Sequence, residues 1–500
     1  MRRALALVAA LVGAAACSGG SPAVTADSTT TSSGPTTTAP PAYVPTFAEN
    51  PCDGTVPADP RVTCGTLTVP VDRAVPDAGD VTIPVTIVHS AAATPEPDPI
   101  VYFSGGPGDV GRSRAGFFLE TDLGGPRDVI LFDQRGTGAS TPSLDCPEVV
   151  EPVWAELGAA GDPLTEADAL IGAVLDCHDR LEASGVDLDA YDTPTTAADV
   201  EDLRVALGIE QWNLLGVSYG TTVAQEVVRE HPESARSVTL DSTYPTGSGN
   251  GPEVRLAAAQ RVIGALLDAN PGMADSLAAL VQEWDDEPFV TIVDDPATGA
   301  PRPLAITGQD VVAGLWNAMY DTSLIPVLPS LIAPLRARED VAQTVVAELA
   351  SRGIDSLTGS AEGVALSVDC ADRGRLGGST VEEAVAQDPM YTGLLTLGIQ
   401  LRCDLWDVAP VDASFNEPVE SDVPALILGD EFDPVTPPAG SEQVAAGFAH
   451  GTFVFLPGLG HGAVFTEGCP LTLFQAFVAA PTAPVDQACV AAMPEPAWVR

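Results

Sequence analysis

The sequence contains no lysine: all 22 of its basic residues are arginine, against 69 aspartate and glutamate residues. The formal net charge is −47. This excess of acid argues against nucleic acid as a partner, because phosphate backbones are bound by clustered cations. We interpret the acidity mainly as a solubilising surface, with attraction of cationic substrates, such as peptides with a free amino terminus, as the alternative.

Histidine is scarce, with five residues, and no two of the nine cysteines have CxxC spacing. Structural zinc sites use cysteines and histidines clustered at such short spacings. The sequence therefore predicts no metal site, and it implies no organic cofactor. Beyond the amino terminus we find no apolar run long enough for a transmembrane helix, which needs about 20 residues.

Residues 1–16 have the pattern of a signal peptide, with two arginines before an apolar run at residues 4–16. Cys17 follows directly and resembles the lipidated cysteine of a bacterial lipobox, although Ala14 stands where that motif usually has leucine. The alternative is an ordinary signal peptide cleaved near Ala16. We therefore expect an exported protein, either lipid-anchored on the outer side of the cell membrane or secreted.

Residues 18–46 consist mostly of Ser, Thr, Pro, Gly and Ala. Such a segment cannot bury enough apolar surface to offset the entropy lost on ordering. We expect residues 17–46 to form a flexible linker behind the lipid, and the folded part to begin near Phe47.

The other eight cysteines form an even set, which indicates disulfides made in an oxidising compartment. They fall into couples of neighbours along the chain: Cys52 with Cys64, Cys146 with Cys177, Cys370 with Cys403, and Cys469 with Cys489. Sequence leaves many connectivities open, and pairing between neighbours is the simplest of them.

Short apolar runs alternate with helical patterns, which predicts an α/β fold with a mostly parallel central sheet. The runs lie at residues 81–88, 100–103, 129–132, 212–217, 237–240, 424–428 and 453–456. Helical patterns at 198–208 and 220–231 end at a glycine and before a proline, as helices commonly do.

Residues 246–420 lack the spacing of parallel strands and contain amphipathic stretches instead, such as 255–268 and 308–320. We expect a mostly helical cap, inserted before the last strands of the sheet. The core of the fold would then comprise residues 47–245 and 421–500.

The segment GVSYG at 216–220 matches G-x-S-x-G between a predicted strand and a predicted helix. That context defines a nucleophile elbow, in which Ser218 is exposed on a sharp turn and larger residues in place of the glycines would clash. The alternative, an inert serine in a tight turn, does not require this context.

A serine nucleophile needs a base, and in such folds an acid and then a histidine follow the serine along the chain. His461 lies in a glycine-rich loop after the last predicted strand, whereas His450 precedes that strand. Asp430, Glu431 and Asp433 compete for the acid, and we choose Asp433 because it lies in the loop proper, between prolines.

The loop SGGPG at 104–108 follows a predicted strand and can bring backbone N–H groups close to a substrate oxygen. Pro107 has no N–H to donate, so Gly106 is the candidate donor. The second donor would be the N–H of Tyr219, the residue after the nucleophile.

Together the motifs resemble those of the proline iminopeptidase and tripeptidyl aminopeptidase-like α/β-hydrolases, especially exported actinobacterial members with a TAP-like C-terminal region. They are SGGPG (104–108), DQRGTGAS (133–140), GVSYG (216–220), GDEFDPVTP (429–437) and GHG (460–462). The resemblance covers residues 50–490 and implies an α/β-hydrolase fold with Ser218, Asp433 and His461 as the triad. It further implies that Arg135 and Gly136 support the active site. Ser104 departs from the histidine or asparagine of many relatives.

The resemblance implies a serine hydrolase acting through an acyl-enzyme on Ser218. We expect an aminopeptidase of the tripeptidyl or prolyl type, with a carboxylesterase or lipase for short acyl esters as the alternative. A non-catalytic binding module is the third hypothesis, and the intact triad argues against it. An aminopeptidase needs a fixed anion for the substrate amine. We choose Asp372, beside the disulfide candidate Cys370, with Asp369 and Glu362 as alternatives.

If Cys17 carries the lipid, Cys17→Ala should release the protein into the medium or leave it unprocessed, while Ser18→Ala should remain membrane-bound. The measurement is membrane fractionation together with the intact mass of the mature protein. A mature chain without lipid on Cys17 would contradict the lipobox interpretation and favour simple cleavage near Ala16.

Overall fold

The computed structural model describes residues 43–159, 163–249, 251–295, 297–339, 359–374, 378–396 and 403–499. The expected signal peptide, Cys17 and nearly all of the linker lie outside these residues. Within them, no helix combines the length and apolar character needed to cross a membrane.

Eleven strands are found in the described residues, nine of them in one sheet. They are β1 (Thr46–Asn50), β2 (Val62–Pro70), β3 (Asp80–Val88), β4 (Ile100–Phe103), β5 (Val129–Phe132), β6 (Trp212–Val217), β7 (Ala235–Asp241), β8 (Phe289–Asp294), β9 (Pro301–Ile306), β10 (Ala425–Asp430) and β11 (Gly451–Leu456). The order in the large sheet is β1-β2-β3-β5-β4-β6-β7-β10-β11. All pairs from β5 to β11 are parallel.

The seven predicted strands are present, and the folded part begins near Phe47 as expected. The apolar runs form parallel strands because helices cover both faces, so strands such as β4 and β6 are buried along their whole length. The sequence analysis missed β1 and β2, which pair in antiparallel fashion at one edge. Polar residues alternate along them, so they have no continuous apolar run.

The helices of the described residues are α1 (Ala115–Thr121), α2 (Val150–Gly158), α3 (Pro163–Ala183), α4 (Thr193–Ala206), α5 (Tyr219–Glu230), α6 (Pro252–Ala269), α7 (Met273–Asp286), α8 (Gly308–Ala318), α9 (Leu328–Arg336), α10 (Glu362–Arg373), α11 (Val381–Gln387), α12 (Thr392–Thr396), α13 (Pro438–Ala445) and α14 (Cys469–Ala479). Helices α4, α5, α6 and α8 contain the four predicted helical segments, with ends shifted by a few residues.

Helices α6 to α12 lie between β7 and β10, where the cap was expected. All of them except α10 contribute to a second hydrophobic core, whereas the buried apolar side chains of α10 belong to the main core of the sheet. The antiparallel hairpin β8–β9 also lies there and was not expected. The cap contacts the loop after β10: Arg261 donates to the carbonyl of Glu431, and Trp316 Nε1 donates to the carbonyl of Pro434 at 2.9 Å. It therefore lies at the carboxyl end of the parallel strands, where such sheets carry their sites.

The eight cysteines form four disulfides, between the neighbours that the sequence analysis paired. They close loops whose sequence separations run from 12 to 33 residues. Each of them reduces the conformational freedom of the unfolded chain.

A buried ion pair supports the loop after β5. The guanidinium of Arg135 donates to both carboxylate oxygens of Asp199, each at 2.7 Å, and also to the carbonyl of Ala190. Both charged side chains are 1% exposed. This bidentate geometry compensates the cost of burying the two charges.

Asp199→Asn should destabilise the protein by about 3–5 kcal/mol, because it leaves the Arg135 guanidinium buried without its counter-ion. Chemical denaturation followed by fluorescence measures this. The matched control is Glu283→Gln, which removes an exposed ion pair with Arg336 and should leave stability nearly unchanged. Equal midpoints for the parent and Asp199→Asn would contradict the role of the pair.

Candidate active site

Ser218 lies on a sharp turn between β6 and α5, with φ 57° and ψ −129°. A non-glycine residue adopts this conformation only where its surroundings enforce it. The glycines on either side permit the turn: a Cβ on Gly216 would lie 2.5 Å from the carbonyl of Gly220, and a Cβ on Gly220 would lie 2.1 Å from that of Phe103. The segment therefore has the geometry of a nucleophile elbow.

Asp433 is fully buried in the loop after β10. Its carboxylate accepts hydrogen bonds from the backbone N–H groups of Val435 and Thr436, both at 2.8 Å, and from the Thr436 hydroxyl at 2.5 Å. Burial alone would raise the pKa of Asp433, but the charge of His461 and these donors lower it below its usual value. Asp433 is therefore held as a carboxylate.

His461 Nδ1 lies 2.9 Å from Asp433 Oδ2, and the His461 ring packs edge-on against Tyr320 with the centroids 4.9 Å apart. Burial would lower the pKa of His461, but the charge of Asp433 and the hydrogen bond to it raise it overall. Because Nδ1 contacts Asp433, Nε2 is the ring nitrogen that can take the serine proton, as in other triads. Tyr320, from the cap, was not predicted.

Two buried carboxylates fix the loop that carries His461. Asp241 accepts the N–H of Val464 at 2.6 Å, and Asp430 accepts the hydroxyl of Ser242 at 3.1 Å. The two carboxyl groups also share a side-chain hydrogen bond, which requires a proton on one of them. Burial raises the pKa of Asp241 to about 6 and that of Asp430 well above its usual value, which allows the two acids to share a proton.

Asp430, which competed with Asp433 for the role of the triad acid, therefore contacts the backbone of the histidine loop and not the imidazole of His461. Ser242 connects the two parts, since its hydroxyl also accepts the N–H of Gly462 at 2.8 Å. Sequence reasoning missed Asp241 and Ser242, because their only signal was their position at the end of a predicted strand.

The loop SGGPG packs directly onto the elbow: a Cβ on Gly105 would lie 3.0 Å from Ser218 Cβ. Tyr219 is the first residue of α5, so its N–H has no acceptor within the helix. Gly106 has φ 99°, a conformation that favours glycine. The N–H groups of Gly106 and Tyr219 remain the predicted oxyanion donors.

Ser104, which departs from the family pattern, is 3% exposed and anchors this loop. Its hydroxyl donates to the carbonyl of Asp109 at 3.1 Å and accepts from Gln134 Nε2 at 3.2 Å. The loop therefore keeps a side-chain support in the absence of histidine or asparagine.

Asp372, our first choice for binding the substrate amine, is 2% exposed and lies beneath the elbow. Its carboxylate accepts the Thr193 hydroxyl at 2.6 Å, and that hydroxyl also contacts the Tyr219 hydroxyl at 2.8 Å. Burial raises the pKa of Asp372 to about 7. This placement argues against the amine role, because the carboxyl supports Tyr219 from within the protein.

The two alternatives occupy different positions. Asp369 is 8% exposed and forms an ion pair at 3.0 Å with Arg373, whose guanidinium lies over the Tyr244 ring. Glu362 begins α10 and is half-buried, next to Ala361, whose N–H donates to the carbonyl of Gly108. Glu362 is thus beside the oxyanion loop, and the roles of both acids stay predictions.

Two family models match the chain. Residues 98–291 match the model described as the alpha/beta hydrolase fold, and residues 390–489 match the model described as TAP-like protein. Between them they cover more than half of the chain, including both segments that carry the candidate triad.

Among curated proteins, a tripeptidyl aminopeptidase of Streptomyces coelicolor is 31% identical over 194 residues, which is 36% of this chain and 35% of that protein. The chain thus spans about a third of that relative's length. The serine protease Hip1 of Mycobacterium tuberculosis is 25% identical over 452 residues, covering 80% of this chain and 82% of Hip1.

Among solved structures, a proline iminopeptidase of Mycobacterium smegmatis aligns with a TM-score of 0.41 and 17% identity, over 83% of this chain and 97% of that one.

The raised pKa of His461 predicts the pH dependence of hydrolysis. The base must be neutral to accept the serine proton, so kcat/KM should fall as the pH drops through the pKa of His461, with a midpoint above about 6.5. Asp433→Asn should cut kcat by about 10⁴-fold and lower the midpoint, because it removes the charge that raises this pKa.

The measurement is a pH profile of kcat/KM on a small ester, whose own charge does not change with pH. A midpoint below 6.5 for the parent, or an unchanged midpoint for Asp433→Asn, would contradict the coupling between Asp433 and His461.

Proposed function

We propose that this chain, which belongs to the α/β-hydrolases with a TAP-like C-terminal region, is an exported serine aminopeptidase. One observation carries the proposal: His461 and Asp433 meet at 2.9 Å in loops that follow the last two strands, as the elbow of Ser218 requires of its partners.

The mechanism is acyl transfer. His461 Nε2 takes the proton of the Ser218 hydroxyl while Ser218 attacks a carbonyl carbon, and Asp433 stabilises the imidazolium that forms. The oxyanion is held by the N–H groups of Gly106 and Tyr219. His461 then gives the proton to the leaving amine, and water hydrolyses the acyl-enzyme by the same route.

The names of the relatives favour peptides as substrates. A tripeptidyl aminopeptidase and a serine protease are among the similar curated proteins, and the second aligns over most of both chains. The acidic surface supports this choice, since a net charge of −47 attracts the ammonium group of a free amino terminus.

The place of action is part of the proposal. The apolar run before Cys17 and the four disulfides fit a protein that folds in an oxidising compartment outside the cytoplasm. Attachment through a lipid on Cys17 would keep the enzyme at the outer side of the membrane, and cleavage near Ala16 would release it.

N-acetylation of a good peptide substrate should slow its cleavage by roughly 100-fold, because an aminopeptidase binds the free ammonium through a charge-assisted hydrogen bond. The measurement compares kcat/KM for matched free and acetylated peptide anilides. Ser218→Ala serves as the blank and should lose activity on the order of 10⁶-fold on both.

Equal cleavage of free and acetylated peptides by the parent would overturn the aminopeptidase assignment. If the same preparation hydrolysed short acyl esters much faster than any peptide, the carboxylesterase alternative would replace it. Activity remaining in Ser218→Ala would show that the nucleophile lies elsewhere.

A further inference from the structure

Asp109 is an acidic residue in the active-site cleft that neither the triad nor the oxyanion hole uses. It directly follows the SGGPG loop, and it is exposed to solvent. A Cβ built on Gly105 would lie 3.5 Å from Ser218 Oγ and 3.4 Å from Asp109 Oδ2, so both oxygens lie within 3.5 Å of one point. The carboxylate oxygen is therefore at most 6.9 Å from the nucleophile oxygen.

Two basic side chains and one hydroxyl group act on the carboxylate of Asp109. Arg114 and His461 act on the carboxylate through charge, and its side-chain hydrogen bond is with Ser360. The Arg114 guanidinium itself lies over the ring of Phe465. Desolvation by surrounding protein raises the pKa of Asp109, with Arg114 and His461 opposing that shift. A bound ammonium would add a hydrogen-bonded cation to the charges of Arg114 and His461 that already act on the carboxylate.

The backbone of Asp109 is held firmly enough to place that charge. The buried Ser104 hydroxyl donates to its carbonyl, and the N–H of Ala361 donates to the carbonyl of the preceding Gly108 at 3.0 Å. A Cβ on Gly108 would lie only 2.6 Å from Ser360 Oγ, which shows how closely the loop and the start of α10 approach.

We propose that Asp109 binds the α-ammonium group of the first residue of the substrate, and that the enzyme therefore removes amino acids one at a time. This inference rests on the proposed aminopeptidase function and specifies its substrate register.

The number of residues removed follows from the distance between the substrate amine and the carbonyl carbon that Ser218 attacks. In a single-residue acyl group the amine is two bonds, about 2.5 Å, from the carbonyl carbon that Ser218 attacks. It can reach a carboxylate beside the nucleophile. In a tripeptidyl group the amine is two residues further away, up to about 7 Å, and it would pass Asp109. The carboxylate of Asp109 would then face an uncharged part of the peptide, and its charge would not strengthen substrate binding.

The test compares alanine p-nitroanilide, its N-acetyl form, Ala-Ala-Ala-p-nitroanilide and the neutral ester p-nitrophenyl acetate. In the parent, the single-residue anilide should be cleaved efficiently, and mass spectrometry of an unlabelled peptide digest should show free alanine as the first product. Asp109→Asn should reduce the ratio of alanine anilide to ester activity roughly 10- to 150-fold, mainly through KM. Asp109→Glu, which keeps the charge, should recover part of the loss.

Glu120→Gln is the matched control, an exposed acid on the nearby helix α1, and it should leave the ratio unchanged. An equal loss on anilide and ester in Asp109→Asn would overturn the inference, because the carboxylate would then act through His461 and not through the substrate. An unchanged ratio would overturn it as well.

Release of intact tripeptides as the first product, with a strict need for a free amine, would overturn the single-residue register and leave the aminopeptidase function standing. Equal cleavage of free and acetylated substrates would instead overturn the aminopeptidase function itself.

Discussion

The buried carboxylate of Asp433 is the constraint on which the rest of the site depends. A charge without solvent contact is stable only if donors surround it, and Val435, Thr436 and His461 provide them. The same hydrogen bonds shape the loop after β10 and fix the orientation of the imidazole. The geometry of the base therefore follows from the need to compensate one buried charge.

The cap is joined to the core at this loop. Arg261 donates to the backbone carbonyls of Glu431 and Asp433, Trp316 donates to that of Pro434, and Tyr320 packs on the His461 ring. The acid and the base of the proposed mechanism are thus supported from both sides, by strands of the sheet and by helices of the cap.

The sequence predicted well those features that depend on local pattern. Continuous apolar runs identified the parallel strands, because burial on both faces removes the alternation of polar residues. The elbow was recognisable because the G-x-S-x-G sequence lies between a strand pattern and a helix pattern, although the contact that requires Gly220 is with Phe103 on another strand. The acid in its proline-flanked loop and the histidine after the last strand followed from chain order, which the α/β-hydrolase topology fixes.

Features that depend on contacts between distant segments were missed. The alternating strands β1 and β2 gave no strong signal. In β8 the apolar residues lie at positions i, i+1, i+3 and i+4, a spacing that also fits a helix, because Val290 and Ile292 are apolar although they are exposed. The position of Asp372 beneath Tyr219 depends on Thr193, 179 residues away. A neighbouring disulfide, the basis of that choice, says nothing about which way a carboxylate faces.

The histidine loop has a consequence for how the enzyme becomes active as it folds. Gly462 and Val464 are bound by Ser242 and Asp241, which lie 220 and 223 residues earlier in the chain. The nucleophile elbow and these anchors are therefore far in the sequence from the segment that they hold. Until that segment docks, the chain has a serine without a base, so hydrolytic activity requires the long-range contacts of the complete fold.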